Sequence, residues 1–227
     1  MLYGALPAIA LSAASMAAAQ APDITEGWHA LWEEVVWDIT IIGVLFAVMT
    51  LYLLIRFRRS RAQENGSAKP LTPLAAFGWV MIPVFIFMAD DIYLAAKNFE
   101  LWNQLREVPA NSYVVDVDSG MWSWDFRHPD GITETNELHV ASGRPVHIKL
   151  TSRDVVHSFF IPDYKVKWDA VPGRTNYLWF NPKEAGEHIV TCTEFCGTLH
   201  SSMFGKIIVM EPAEFEKWLE ANRREKI

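Results

Sequence analysis

The sequence predicts a membrane-anchored all-β protein, in which a two-helix transmembrane hairpin precedes a β-sandwich. Three observations carry this expectation. Two long uncharged apolar runs, Ile39 to Ile55 and Pro70 to Ala89, stand close together in the first half of the chain. From Ser112 onward, short stretches of β-branched and aromatic residues alternate with turn signals. The composition fits both halves: of 227 residues, 51% are apolar and 13% aromatic, enough to fill a core and inconsistent with disorder or a collagen-like repeat. Two cysteines are too few for a disulfide framework, a four-thiolate zinc ribbon or an iron-sulfur carrier. No Cys-x-x-Cys-His occurs, so the chain carries no covalent c-type haem. A net charge of −7 argues against nucleic acid and favours a basic protein partner.

Residues 1–21 have no charged side chain, and Ala17, Ala19 and Ala21 have the spacing of signal-peptidase sites, so they read as a cleaved signal peptide. The absence of Lys or Arg at the extreme N-terminus leaves a retained third apolar segment open. A spanning helix needs about 20 mostly apolar residues. The two later runs reach that length as helices over about 35–57 and 72–97, within a hairpin region 22–98. Between them lie Arg56, Arg58, Arg59, Arg61 and Lys69 against a single acid, Glu64, which assigns that loop to the cytoplasmic side and everything after about residue 98 to the other. Trp28, Trp32 and Trp37 on one helix, with Tyr93, Phe99 and Trp102 after the other, suit an interfacial aromatic belt on the outer side.

About eight strands are expected in the domain 99–212: Tyr113 to Val117, Met121 to Phe126, Leu138 to Ala141, Val146 to Thr151, His157 to Ile161, Asn176 to Phe180, His188 to Cys192 and Phe204 to Met210. Val146, Ile148 and Leu150 alternate with polar neighbours, the period of a half-buried strand. Such spacing reads as a sandwich or barrel. Glu211 to Arg223 opens a terminal helix, with a helix and tail over 213–227.

The chemistry lies in Cys192-Thr-Glu-Phe-Cys196-Gly-Thr-Leu-His200-Ser-Ser-Met203, with His157 upstream. Thiolates, imidazoles and a thioether are soft or borderline ligands that select copper, zinc or iron-sulfur over magnesium or calcium. One zinc would be saturated by Cys192, Cys196, His200 and His157, leaving Met203 idle. One blue-copper ion would use a single Cys, two His and Met, leaving a thiolate over. Two copper ions bridged by both thiolates, each with one histidine and one weak axial ligand, use every group; Met203 supplies one axial ligand and a loop carbonyl the other. A short-loop disulfide would leave His157, His200 and Met203 unexplained.

This loop, with His-Ser-Phe-Phe-Ile-Pro at 157–162 and Asp-Ala-Val-Pro-Gly-Arg at 169–174, resembles the CuA domain of cytochrome c oxidase subunit II. The similarity runs from about residue 24 and includes Trp79-x-x-x-Pro83 in the second helix. It implies a cupredoxin-like Greek-key sandwich whose dinuclear copper takes electrons from a c-type cytochrome and passes them to haem in subunit I, where oxygen becomes water. Carried over, the CuA ligands are His157, Cys192, Cys196, His200 and Met203 with the carbonyl of Glu194, whose side chain the family uses for magnesium at the subunit I boundary. Trp122 matches the residue through which the family takes in electrons, and Asp154 an acid facing the cytochrome. The resemblance also implies the inner (plasma) membrane of a bacterium, with the copper domain on the periplasmic side.

Three positions depart from the family pattern. Met121 replaces the usual Gln, Arg127 replaces an acid on the cytochrome-facing side, and Ala76 stands where proton-pumping members place a Glu. Ala76 keeps open a CuA subunit of a nitric oxide reductase. A thioredoxin-like copper chaperone would need βαβ alternation around the cysteines and leaves His200 and Met203 without a role. A quinol oxidase subunit would lack the copper ligands, and nitrous oxide reductase is a much longer soluble chain. His128, His139, His147 and His188 read as surface or strand residues.

Overall fold

The computed structural model describes residues 24–58 and 69–224. The expected signal peptide and most of the basic loop lie outside the described residues. Contacts divide the chain into a helical unit, Glu26–Trp102, and a β unit formed from Asn103 onward together with Ile24 and Thr25.

The helical unit comprises α1 (Ile24–Arg56) and α2 (Pro73–Arg106), whose last turn already belongs to the β unit. Both are long and apolar enough to cross a membrane. Their apolar side chains face outward, with Leu54, Trp79 and Ile82 among the exposed ones, as suits contact with lipid. Helix α2 starts as its sequence dictates: Pro73 occupies the first turn, where no donor is missed, and Thr72 Oγ1 accepts the Ala75 amide at 3.2 Å. Tyr93 donates to Glu34 Oε1 at 3.1 Å between the two helices. The helices are longer than the apolar runs of about 35–57 and 72–97. Helix α1 begins at Ile24, so Trp28, Trp32 and Trp37 lie within it, and α2 runs on to Arg106. A nucleated helix continues through mixed polar and apolar residues, here even through Gly27 in α1, so hydropathy marked the apolar centres and missed the ends.

The β unit has ten strands: β1 (Tyr113–Gly120), β2 (Ser123–Arg127), β3 (Thr133–Thr135), β4 (Glu137–Ala141), β5 (Val146–Ser152), β6 (His157–Ile161), β7 (Val166–Ala170), β8 (Asn176–Phe180), β9 (Gly186–Cys192) and β10 (Phe204–Met210). They form two five-stranded sheets, ordered β3-β2-β1-β5-β8 and β4-β10-β9-β6-β7. Strands β1 and β5 are parallel, as are β4 and β10; the remaining pairs are antiparallel. The inward set, including Val115, Trp124, Phe126, Ile148 and Leu150 from one sheet and Leu138, Phe159, Ile161 and Ile207 from the other, is wholly inaccessible to solvent.

Strands β3 and β7 were not anticipated. Both lie at sheet edges, and their residues (Thr-Glu-Thr and Val-Lys-Trp-Asp-Ala) carry the polar side chains that edges tolerate. Strand β2 also starts later than expected. Gly120 pairs with Ser123, so Met121 and Trp122 are the two-residue turn of the β1–β2 hairpin, and Trp122 does not share a strand face with Trp124. Between β3 and β4 the chain passes from one sheet to the other at Asn136, which adopts a left-handed conformation (φ 61°) and accepts the Trp124 amide on Oδ1 at 2.9 Å.

Helix α3 (Pro212–Arg224) packs against the β unit through Phe215 and Leu219, one turn apart and both buried. Trp218 stacks on His139 at 4.7 Å, and Phe215 meets Tyr113 edge-on at 5.5 Å.

Candidate metal centre

The candidate donors converge because two strand ends and one tight loop bring them together. Cys192 ends β9 and Phe204 begins β10, so the intervening residues must turn back within a strand spacing. The Cys192 amide donates to the Met203 carbonyl at 3.2 Å and closes the base of that loop. Inside it, His200 N–H reaches Gly197 O at 3.1 Å and Met203 N–H reaches His200 O at 3.2 Å, winding the segment into a short 3-10 turn, His200–Ser202. Thr193 N–H donates to Ser158 O at 3.0 Å, fixing the loop against β6, whose first residue is His157.

The side chains meet in the interior. His157 Nδ1 lies 3.9 Å from Cys192 Sγ, and the two sulfurs are 3.8 Å apart. Cys196 Sγ is 3.5 Å from His200 Nδ1 and 3.7 Å from Met203 Sδ. The carbonyl oxygen of Glu194 stands 3.2 Å from Cys192 Sγ. Both cysteines are free, and the donor atoms of His157, Cys192 and Cys196 all lie within 4.8 Å of one another. His157 is 0% exposed and Met203 1%. A disulfide would need sulfurs about 2 Å apart.

Neighbouring groups set the chemical state of these donors. Asp154 Oδ1 accepts His157 Nε2–H at 2.8 Å, which fixes the tautomer whose unprotonated Nδ1 faces Cys192. Asp154 also accepts the amides of Val155 and Met121, each at 2.6 Å. Burial raises its pKa, but the hydrogen bonds from His157, Met121 and Val155 outweigh it and hold the carboxyl down at about 2. Burial and the adjacent Cys192 thiol push Cys196 up to about 11, so metal uptake at neutral pH must displace thiol protons. Trp124 packs edge-on against the His157 ring at 6.1 Å and against Phe159 at 5.0 Å, closing the inner side to water.

Comparison with known proteins fits this geometry. The model of the family "Cytochrome C oxidase subunit II, periplasmic domain" matches residues 98–211. The chain belongs to the cytochrome c oxidase subunit II family. It is 35% identical over 222 residues to cytochrome c oxidase subunit 2 of Synechocystis sp., covering 76% of this chain and 65% of that one. To the alternative cytochrome c oxidase subunit 2 of Bradyrhizobium diazoefficiens it is 27% identical, over 81% of this chain and 76% of that one. Among solved structures it resembles the periplasmic domain of cytochrome oxidase subunit II (CoxB) of Bradyrhizobium japonicum, with a TM-score of 0.50 and 29% identity over 52% of this chain and 99% of that one. The chain is therefore a subunit II of a haem-copper oxidase complex, anchored by two apolar helices and carrying a cupredoxin-like domain of the periplasmic type.

Of the residues singled out in the subunit II sequence, His157, Cys192, Cys196, His200 and Met203 lie together, with the Glu194 carbonyl among them. Glu194 itself is exposed. Trp122 lies in the hairpin turn and packs on the loop: a Cβ built on Gly197 would sit 3.4 Å from its Nε1 and Cζ2. Two positioning residues were not assigned those roles from the sequence. Trp124 resembled ordinary packing, and Asp154, three residues before His157, is the one whose spacing could have signalled its hydrogen bond. His128, expected at the surface or on a strand, is 2% exposed; Tyr113 Oη and Glu134 Oε1 bracket its ring at 2.8 and 2.7 Å.

Proposed function

We propose that the chain is the electron-input subunit of a terminal haem-copper oxidase and that its loop holds the dinuclear copper centre CuA. The observation that supports this is the convergence of two thiols, two imidazole Nδ1 atoms and a thioether, all soft donors, in a set larger than a single tetrahedral ion uses. His157, Cys192, Cys196, His200 and Met203 would hold the metals by side chain and Glu194 by its carbonyl. When bound, copper supplies one-electron transfer between its cuprous and cupric states.

The chain's own residues make that transfer possible. The closed loop base and the tie to β6 hold the donors in place, so little rearrangement accompanies a change of charge. Asp154 keeps His157 in its metal-binding tautomer, and Trp124 with Phe159 excludes water from the inner side. Trp122, packed on the loop at Gly197, serves as the point of electron intake from a c-type cytochrome. The electron then passes to haem in subunit I, where oxygen is reduced to water, and the exposed Glu194 carboxylate would bind magnesium at that boundary. The hairpin sits in the inner membrane of a bacterium with the β unit in the periplasm, after removal of residues 1–21.

The test is metal analysis and EPR of the full-length protein loaded with copper in detergent. Two coppers per chain, with one unpaired electron shared over both, are expected. One copper per chain, or a mononuclear spectrum, refutes the proposal. Turnover of the assembled complex with oxygen against nitric oxide distinguishes the two acceptors that Ala76 leaves open.

A further inference from the structure

We propose that Arg153 is a positioning residue for electron intake, strapping the β1–β2 hairpin so that the Trp122 ring keeps its seat on the metal loop. The proposal rests on reading Trp122 as the intake point and adds the residue that places it.

The Trp122 ring does not anchor itself. Among the described residues its buried Nε1 has no hydrogen-bond partner, although it lies 3.4 Å from where a Cβ on Gly197 would be. A buried N–H without a partner costs free energy, so the seat depends on the backbone that carries the ring. That backbone is the two-residue turn, and below it Asp118 and Asp125 lie directly opposite each other in the register of β1 and β2. Like charges facing across a strand pair are destabilising, and these two carboxylates would spread the hairpin.

Arg153 sits where it counters that repulsion. It follows β5, and its amide donates to Ser119 O at 3.0 Å. Nη1 donates to Asp125 Oδ2 at 2.7 Å and to the Asp118 carbonyl at 3.3 Å, with Asp118 Oδ2 at 3.6 Å, and Nη2 donates to Ser123 Oγ at 3.0 Å. One planar fork therefore joins both arms of the hairpin next to the turn. Its single charge offsets one of the two facing carboxylates. Gly120 leaves the room for this: a Cβ built there would stand 2.5 Å from Arg153 Cζ and 2.6 Å from Nη2. The next residue, Asp154, ties the turn itself, accepting the Met121 amide at 2.6 Å while it holds His157 at 2.8 Å. A half-exposed ion pair adds little to stability, so the consequence of the strap is geometric. A misplacement of about 1 Å between reacting partners can cost on the order of 100-fold in rate.

The test uses the full chain in detergent, first without copper and with 5-fluorotryptophan in place of tryptophan. The fluorine resonance missing from Trp122→Phe belongs to Trp122. Arg153→Ala and Gly120→Ala are both expected to shift and broaden it while the other resonances stay in place. Gly120 has no positive φ, so alanine is unstrained there, and the variant displaces the guanidinium without changing any charge. Arg153→Lys keeps the charge but not the fork and is expected to behave as Arg153→Ala. The copper-loaded proteins are then mixed with excess reduced c-type cytochrome in a stopped-flow instrument. The limiting rate is expected to fall about tenfold in all three variants, equally at about 20 and about 200 mM salt, while reduction by ascorbate with a small mediator stays as in the wild type. Added to Trp122→Phe, Arg153→Ala is expected to slow the rate by less than about twofold further, because both act through one ring. An unmoved Trp122 resonance overturns the proposal, as does a loss that lysine restores, that salt abolishes, or that adds in full to Trp122→Phe. Absence of a shared-electron EPR signal refutes the copper reading and this proposal with it, whereas that signal with an unmoved fluorine resonance refutes this proposal alone.

Discussion

Replacing Glu134 by alanine tests how the terminal helix is held. Glu134 is half-buried, its side chain 11% exposed, and it accepts His128 Nε2–H at 2.7 Å, His139 Nδ1–H at 2.5 Å and the His139 amide at 3.0 Å. Burial works against the carboxylate, but the hydrogen bonds from the two histidines outweigh it and lower its pKa from 4.5 to about 2. At about 1.4 kcal/mol per pH unit, that difference makes ionised Glu134 stabilising by about 3 kcal/mol. A carboxylate with a depressed pKa contributes its full stability above the unfolded value. The contribution therefore holds at neutral pH and disappears as pH falls from about 4.5 towards about 2. His139 carries Trp218 and His128 carries Tyr113, so loss of the carboxylate also loosens the seat of α3. Glu134→Ala should lower the melting temperature of the β unit at pH 7 by about 10 °C, taking roughly 3–5 °C per kcal/mol for a domain of this size. Tryptophan fluorescence of the full chain in detergent would follow the transition. The gap between wild type and variant should narrow below pH 4.5 and close near pH 2. Equal melting at pH 7, or a gap that persists unchanged in acid, would refute this reasoning.

Three further outcomes are expected. Asp154→Ala should weaken copper binding by roughly 10- to 100-fold in a competition titration against a chelator, because the His157 tautomer is no longer fixed. Gly197→Ala should cost about 1–3 kcal/mol in denaturant unfolding, since φ at this position is +122° and an alanine there is strained whatever the space. Phe215→Ala removes a side chain that is 2% exposed and should cost about 3–5 kcal/mol, with loss of helix signal from α3 in circular dichroism.

The site was more legible in the sequence than the fold around it. Four donor residues lie within 12 positions, and their chemical type and spacing point to a metal before any distance is known. The sandwich followed from runs such as Val146 to Thr151, whose alternation survives in β5 as a buried-exposed pattern. Strands β3 and β7 left no such trace because an edge strand buries too little to need apolar residues. The Met121–Trp122 turn was hidden because two bulky residues occupy a place usually taken by Gly or Asn. The His128–Glu134–His139 cluster could not be read at all. It depends on β3, β4 and the residue after β2 meeting in space, and no periodicity records such a meeting.

The hydrogen bond from Cys192 N–H to Met203 O joins the two ends of the segment that supplies four of the five side-chain donors. A segment closed at its own neck behaves as a cassette: its length and contents can change while the paired strands beneath keep their register. Variation in metal choice or potential among such chains should thus accumulate between those two residues, and a transplant of 192–203 needs from its host only a matching strand pair and a histidine across the way.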